Sequence, residues 1–273
     1  MIRLGMCNEL YEGWTLADTC ASLKSLGYDG VEIAPFTLAP KITDVSAADR
    51  DRIKREVEAS GLACIGLHWL LAKTEGFYLT HPDVEVRKRT TEYLIELARA
   101  VRDIGGELMV FGSPKQRDLL PGVSEAEALE FAEEVFRALL PALDEYAVDF
   151  CLEPLAPSET NFLNTCAQAN ALIAKLDHPR FRLHMDVKAQ SGEVGTTVPD
   201  LIRLHGASAR HFHAQDTNLQ GPGMGAVDFV PILEALVASG YDRWVSVEVF
   251  DYSPGAVETA SRSIDCLKRA LGR

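Results

Sequence analysis

Strand-like and helix-like segments alternate strictly from one end of the chain to the other, and that order leaves few folds open. IRLGMCN is followed by the amphipathic TLADTCASLKSLGY, and DGVEIAPF by SAADRDRIKREVEASG. LACIGLHW leads through the loop LLAKTEGFYLTHP into a long helix expected from about Asp83 to Ile104. GELMVFGSP and a further loop precede SEAEALEFAEEVFRALLPALDEYA, where Ser124 and Glu127 have capping-box spacing. Four more strand-like runs follow, DFCLEP, FRLHMDV, RHFHAQD and WVSVEVF, separated by NTCAQANALIAKLDH, VPDLIRLHG and DFVPILEALVASG; GAVETASRSIDCLKRALG comes last. Eight strand–helix pairs predict parallel strands joined by helical crossovers. The 273 residues are close to the roughly 250 of a closed barrel. The expected fold is therefore α/β, a single (β/α)8 TIM barrel forming one domain over residues 1–273. No GxGxxG or GxxxxGK[ST] opens a helix, so the nucleotide-binding fingerprints are missing.

Charge and composition narrow the partners. The net charge is −13, which repels a phosphate backbone and argues against nucleic acid. No apolar stretch approaches the ~20 residues of a membrane span, and MIRLGMCNELYEGW lacks the basic and apolar blocks of a signal peptide. A cytoplasmic protein with no membrane partner is the expectation. The six cysteines are scattered without a CxxC pair, so they read as reduced, mostly buried small hydrophobes.

Four side chains, Glu153, Asp186, His213 and Glu248, each sit where one of the last four apolar runs ends. They are separated by roughly thirty residues, what one strand plus one helix consumes. Parallel strands would bring all four to one mouth of the barrel. Period-two geometry agrees: Cys151 with Glu153, His184 with Asp186, His211 and Gln215 with His213, and Trp244 and Ser246 with Glu248 would face inward. Leu152, Phe212, Val245 and Val247 would face the helices. Two glutamates, an aspartate and a neutral imidazole make an oxygen-rich site for a divalent cation; Mn²⁺ suits it best, with Mg²⁺, Co²⁺ and Zn²⁺ as alternatives.

The second half carries motifs that resemble those of the xylose isomerase-like TIM-barrel superfamily of sugar isomerases and epimerases, nearest in pattern to the D-tagatose and D-psicose 3-epimerases. Glu153-Pro154 followed by Glu159-Thr160-Asn161-Phe162-Leu163-Asn164-Thr165 resembles their fifth-strand motif. Asp186, the second His of His211-Phe212-His213, and Glu248 in VSVE match their remaining ligands. Gly221-Pro222-Gly223-Met224-Gly225 before Asp228-Phe229 is similar to their glycine-rich seventh loop. The resemblance implies a metal-dependent enzyme of the isomerase class acting on a small sugar, in which Glu159 contacts substrate, and an assembly of two or four copies. It also marks two departures: Ala189 and Leu219 stand where the family carries a substrate-binding His and Arg.

The expected chemistry follows from the donors. A cation chelating adjacent carbonyl and hydroxyl oxygens acidifies the C–H between them and stabilises the enediolate left by proton loss. Glu153 and Glu248, on opposite sides of the sugar, would remove and return the proton. Around them, His68 and Trp69 end the third strand as candidate sugar contacts, and Lys188 and Asp216 are candidates in the loops after Asp186 and His213, with Asn218 beside Asp216. Glu32 could reach the pocket or brace the rim; His184 reads as support for the ligands and His211 as a structural hydrogen-bond donor. Alternatives on the same site are lyase or dehydratase chemistry on a keto-sugar or inositol, and C-glycoside deglycosylation. Endonuclease IV-like repair and a non-catalytic sugar-binding barrel complete the alternatives.

Overall fold

The computed structural model describes all residues, 1–273. Eight parallel strands close into a barrel in sequential order, β1 pairing with both β2 and β8. They are β1 (Arg3–Cys7), β2 (Gly30–Ile33), β3 (Ala63–Leu67), β4 (Leu108–Phe111), β5 (Asp149–Leu152), β6 (Phe181–Asp186), β7 (Ala209–Ala214) and β8 (Trp244–Val247). The outer helices are α1 (Leu16–Leu26), α2 (Ala47–Ser60), α3 (Val84–Asp103), α4 (Glu125–Tyr146) and α5 (Cys166–Leu176). A one-turn α6 (Val187–Gln190) then precedes α7 (Val198–His205), α8 (Phe229–Ala238) and α9 (Ala256–Ala270).

The strict eight-and-eight alternation therefore needs one correction, the extra turn α6. It forms because Asp186 caps it, accepting from Ala189 N at 2.6 Å, a local hydrogen bond invisible to apolar periodicity. The long helix spans Val84–Asp103 with Asp83 as its N-cap, and Ser124 and Glu127 form the capping box that starts α4.

Two apolar regions result from the strand alternation. Leu152, Phe212, Val245 and Val247 belong to the large layer between sheet and helices. Inside the barrel, Ile65, Leu108, Val110, Cys151 and Trp244 form a separate cluster. Trp244 Nε1 donates to Glu107 Oε1 at 2.6 Å, which satisfies the indole's one donor. The interior is thus packed, and above that plug it becomes polar. No helix is long and apolar enough to cross a membrane.

Candidate active site

The four strand-end residues converge. Donor atoms of Glu153, Asp186, His213 and Glu248 all lie within 4.8 Å of one another, and all four residues are buried. Ligands on opposite sides of one ion at about 2.1–2.2 Å are about 4.4 Å apart, so the spread matches a preformed cation site. Asp186 Oδ2 and His213 Nδ1 are buried without a hydrogen-bond partner, as expected of atoms reserved for an ion.

Electrostatics agree with the geometry. Burial, and next the Glu248 and Asp186 carboxylates, hold the Glu153 carboxyl well above the usual carboxylate range. Burial and Glu248 push Asp186 up to about 7. Burial also opposes ionisation of Glu248, but the charge and hydrogen bond of His213 and the charge of His68 together outweigh it and keep that carboxyl below its ordinary value. Three carboxyl groups so close repel one another, and a cation relieves the repulsion. Oxygen donors with one imidazole fit a hard divalent ion.

His213 is oriented from behind. Its Nε2 lies 3.2 and 3.3 Å from the two oxygens of Glu32, and His211 Nε2 lies 2.7 Å from Glu32 Oε2. Donation from Nε2–H to Glu32 means that, once His213 gives up its Nδ1 proton, the Nδ1 lone pair faces the ligand cluster. His213 Nδ1 is 3.3 Å from Glu248 Oε2. Burial would raise the Glu32 carboxyl, but His211 and His213 outweigh it and hold it well below the usual range. Glu32 is fully buried and does not line the cavity, so it is a brace for two imidazoles. His211 is the structural donor expected of it. His184 lies behind Glu153, its Nε2 3.9 Å from Oε1 and its ring 4.2 Å from that of His213. Burial, then His213, hold His184 well below the ordinary imidazole range, so it stays neutral beside the site.

Above the quartet is a cavity of about 290 Å³, at the small end of ligand sites and large enough for a monosaccharide. Glu153, Asp186 and Glu248 form its floor; Glu159 and Lys188, an ion pair, stand at one side. Trp69, Phe250, Val110, Leu155 and Pro114 supply an apolar wall. Trp69 packs edge-on to Phe250 and Phe36, with centroids 5.1 and 5.5 Å away, and adopts the left-handed φ of 51°. A bulky residue held there carries backbone strain that its packing sustains.

Three residues expected to touch substrate do not line the cavity. His68 lies outside the cavity: it is fully buried, and its Nε2 lies 2.8 Å from Glu9 Oε2. Asp216 is also fully buried, its carboxylate accepting from Val227 N at 3.1 Å, so it folds the seventh loop instead of facing substrate. Asn218 donates to Met224 O in the same loop. In each case a closer backbone or side-chain partner captures the group. Leu219 is at φ 71° and outside the cavity; its carbonyl accepts from Phe250 N and Asp251 N at 2.9 Å and so holds the loop after β8. Ala189 is buried within α6.

Sequence reasoning missed two residues. Glu9 follows β1 as Glu153 and Glu248 follow β5 and β8, so the same strand-end rule applied to NEL would have found it. Arg117 is fully buried and donates to Gly112 O, Glu153 O, Phe162 O and Leu163 O at 2.7–3.2 Å. It ties the ends of β4 and β5 to the loop that carries Glu159. Burial lowers its guanidinium to about 10, which leaves it charged at neutral pH. Nothing local in PKQR distinguishes it from a solvated loop arginine.

Gly112 has a specific reason to lack a side chain: a Cβ there would overlap Glu153 Oε2. Gly112→Ala is expected to lower kcat by about 10²-fold through a carboxylate displacement of roughly an ångström. The melting temperature should change little; an unaltered kcat would show that Glu153 tolerates the shift.

The family described as xylose isomerase-like TIM barrel matches residues 20–270. The chain is 27% identical to a D-psicose 3-epimerase of Ruminiclostridium cellulolyticum, over 85% of this chain and 77% of that one. It is 24% identical to a 3-dehydro-D-guloside 4-epimerase of Escherichia coli, over 90% and 92% of the two chains. Among solved structures, a D-psicose 3-epimerase crystallised in the presence of D-fructose superposes with a TM-score of 0.86 at 20% identity, covering 100% of both chains. The apo form of a 3-keto-D-glucoside 4-epimerase from E. coli superposes with a TM-score of 0.82 at 19% identity, again over 100% of both. These superpositions establish the fold.

Proposed function

This chain belongs to the xylose isomerase-like TIM-barrel family, and from that premise we propose that it is a divalent-metal-dependent sugar epimerase. Its substrate is a keto-sugar, and the reaction inverts a carbon next to the carbonyl. The observation that carries the reading is the quartet itself: four buried donors within 4.8 Å of one another, three of them on residues lining a sugar-sized cavity. The epimerase names of the relatives support the reaction class. Glu153, Asp186, His213 and Glu248 would hold the ion, Mn²⁺ by preference. When bound, it polarises adjacent carbonyl and hydroxyl oxygens and acidifies the C–H between them.

The protein's own residues do the rest. Glu153 and Glu248 both line the cavity, with environments that push their proton affinities in opposite directions. Acid–base inversion needs one of the two to take a proton from one face of the sugar and the other to return a proton on the opposite face. Glu159 and Lys188 orient hydroxyl groups at the side of the cavity, and Trp69 and Phe250 offer aromatic surface to a sugar face.

One observation narrows the substrate. The rest of the cavity wall is largely apolar, and the positions of the family His and Arg, Ala189 and Leu219, contribute no polar atom. An open-chain ketohexose would leave terminal hydroxyls unpaired there, at a cost of about 1–3 kcal/mol for each buried group. A ring-closed keto-glycoside can lay an apolar face on Trp69 and Phe250. Incubation of free ketoses and 3-keto-glycosides in D₂O with Mn²⁺, followed by NMR, tests both points. Deuterium should enter next to the carbonyl with inversion, faster for the glycosides. Sugar binding without any exchange would refute the epimerase reading.

A further inference from the structure

The barrel interior holds a second set of metal-binding side chains that the proposed chemistry does not use. Cys7, the last residue of β1, Glu9 just beyond it, and His68 just beyond β3 are buried, and their donor atoms lie with one of Glu248 within 4.8 Å of one another. The two oxygens of Glu248 point to different neighbours. Oε2 is 3.3 Å from His213 Nδ1, on the quartet side, whereas Oε1 is 3.9 Å from His68 Nε2. We propose that Cys7, Glu9, His68 and Glu248 form a second, sulfur-containing metal site that shares Glu248 with the quartet and selects a softer ion such as Zn²⁺ or Co²⁺.

Four observations support this. One thiolate, one imidazole and two carboxylates are a tetrahedral zinc donor set, unlike the oxygen-rich quartet. Glu9 Oε1 is buried without a hydrogen-bond partner, a cost that well-packed interiors avoid. His68 turns Nε2 toward Glu9 Oε2 at 2.8 Å and Glu248 Oε1 at 3.9 Å, and Nδ1 away toward Glu32, so Nε2 is the atom that would meet the ion. The Cys7 thiol has only a weak contact, His213 Nε2 at 3.9 Å. An ion entering the site replaces the Glu9–His68 hydrogen bond and releases the thiol proton to solvent. Two divalent charges also balance four neighbouring carboxylates better than one. This use of Cys7 departs from the reading of the cysteines as inert small hydrophobes.

A consequence rests on the function proposed above: an ion on Oε1 takes that oxygen out of proton transfer, so filling the second site opposes turnover. The existence of the site is tested without turnover. Metal-free protein is titrated with Co²⁺ and followed by elemental analysis and near-ultraviolet absorption. Wild type should bind two ions per chain and develop thiolate-to-cobalt charge transfer. Cys7→Ser and Glu9→Gln should each bind one ion, and Cys7→Ser should lack the band. Asp186→Asn, which weakens only the quartet, should keep the band whether or not any sugar is turned over. One ion per wild-type chain with no thiolate band, or loss of the band in Asp186→Asn, would overturn the proposal.

Discussion

Glu153→Gln and Glu248→Gln are each expected to lower kcat by about 10²–10⁴-fold, the usual contribution of a positioned acid or base. The amide keeps the shape and one oxygen donor but cannot carry the proton. Stability should survive, because each substitution removes one member of a repelling carboxylate group. Glu153→Gln in particular resembles the protonated form that burial already favours. The two variants should differ in a revealing way. If the carboxylates serve opposite faces, each variant retains solvent exchange from one epimer of the substrate and loses it from the other, without net inversion. Full turnover by either variant would remove that residue from acid–base chemistry.

Exhaustive chelation is expected to abolish turnover, and Mn²⁺ to restore it. Affinity for the ion should also depend on pH in a defined direction. Asp186 is pushed up to about 7, and Glu153 lies well above the usual carboxylate range. A cation must displace protons from both, so proton and metal compete. Affinity therefore falls as pH drops through 7, by about tenfold per pH unit for each proton displaced. Calorimetric titration between about pH 5.5 and 8 measures this directly, in buffers of different ionisation enthalpy to count the protons. A binding constant flat across that range, or undiminished turnover by metal-free protein, would end the metal-dependent reading.

The reach of local pattern is clear from individual residues. Glu153, Asp186, His213 and Glu248 were legible because each terminates an apolar run and period-two alternation fixes its face. Their meeting point then follows from parallel strands in a closed barrel, with no further information. Asp216 illustrates the opposite case. It sits in a loop, where no period constrains direction, and its carboxylate accepts from Val227 N in the same loop. His68 ends a strand as the ligands do, yet its partner Glu9 lies 59 residues away. Lys188 and Glu159 were separate candidates; only the folded chain pairs them at the cavity side.

Alternating hydrophobic period by itself determined the barrel and the four inward carboxyl and imidazole groups, because side-chain direction in a strand is set by the residue's own backbone. Tertiary structure alone decided which loop groups face the cavity, that Arg117 draws the ends of β4 and β5 to the Glu159 loop, and that Glu9 joins His68. Those outcomes depend on hydrogen bonds between segments remote in the chain, whose competition for partners has no local signature.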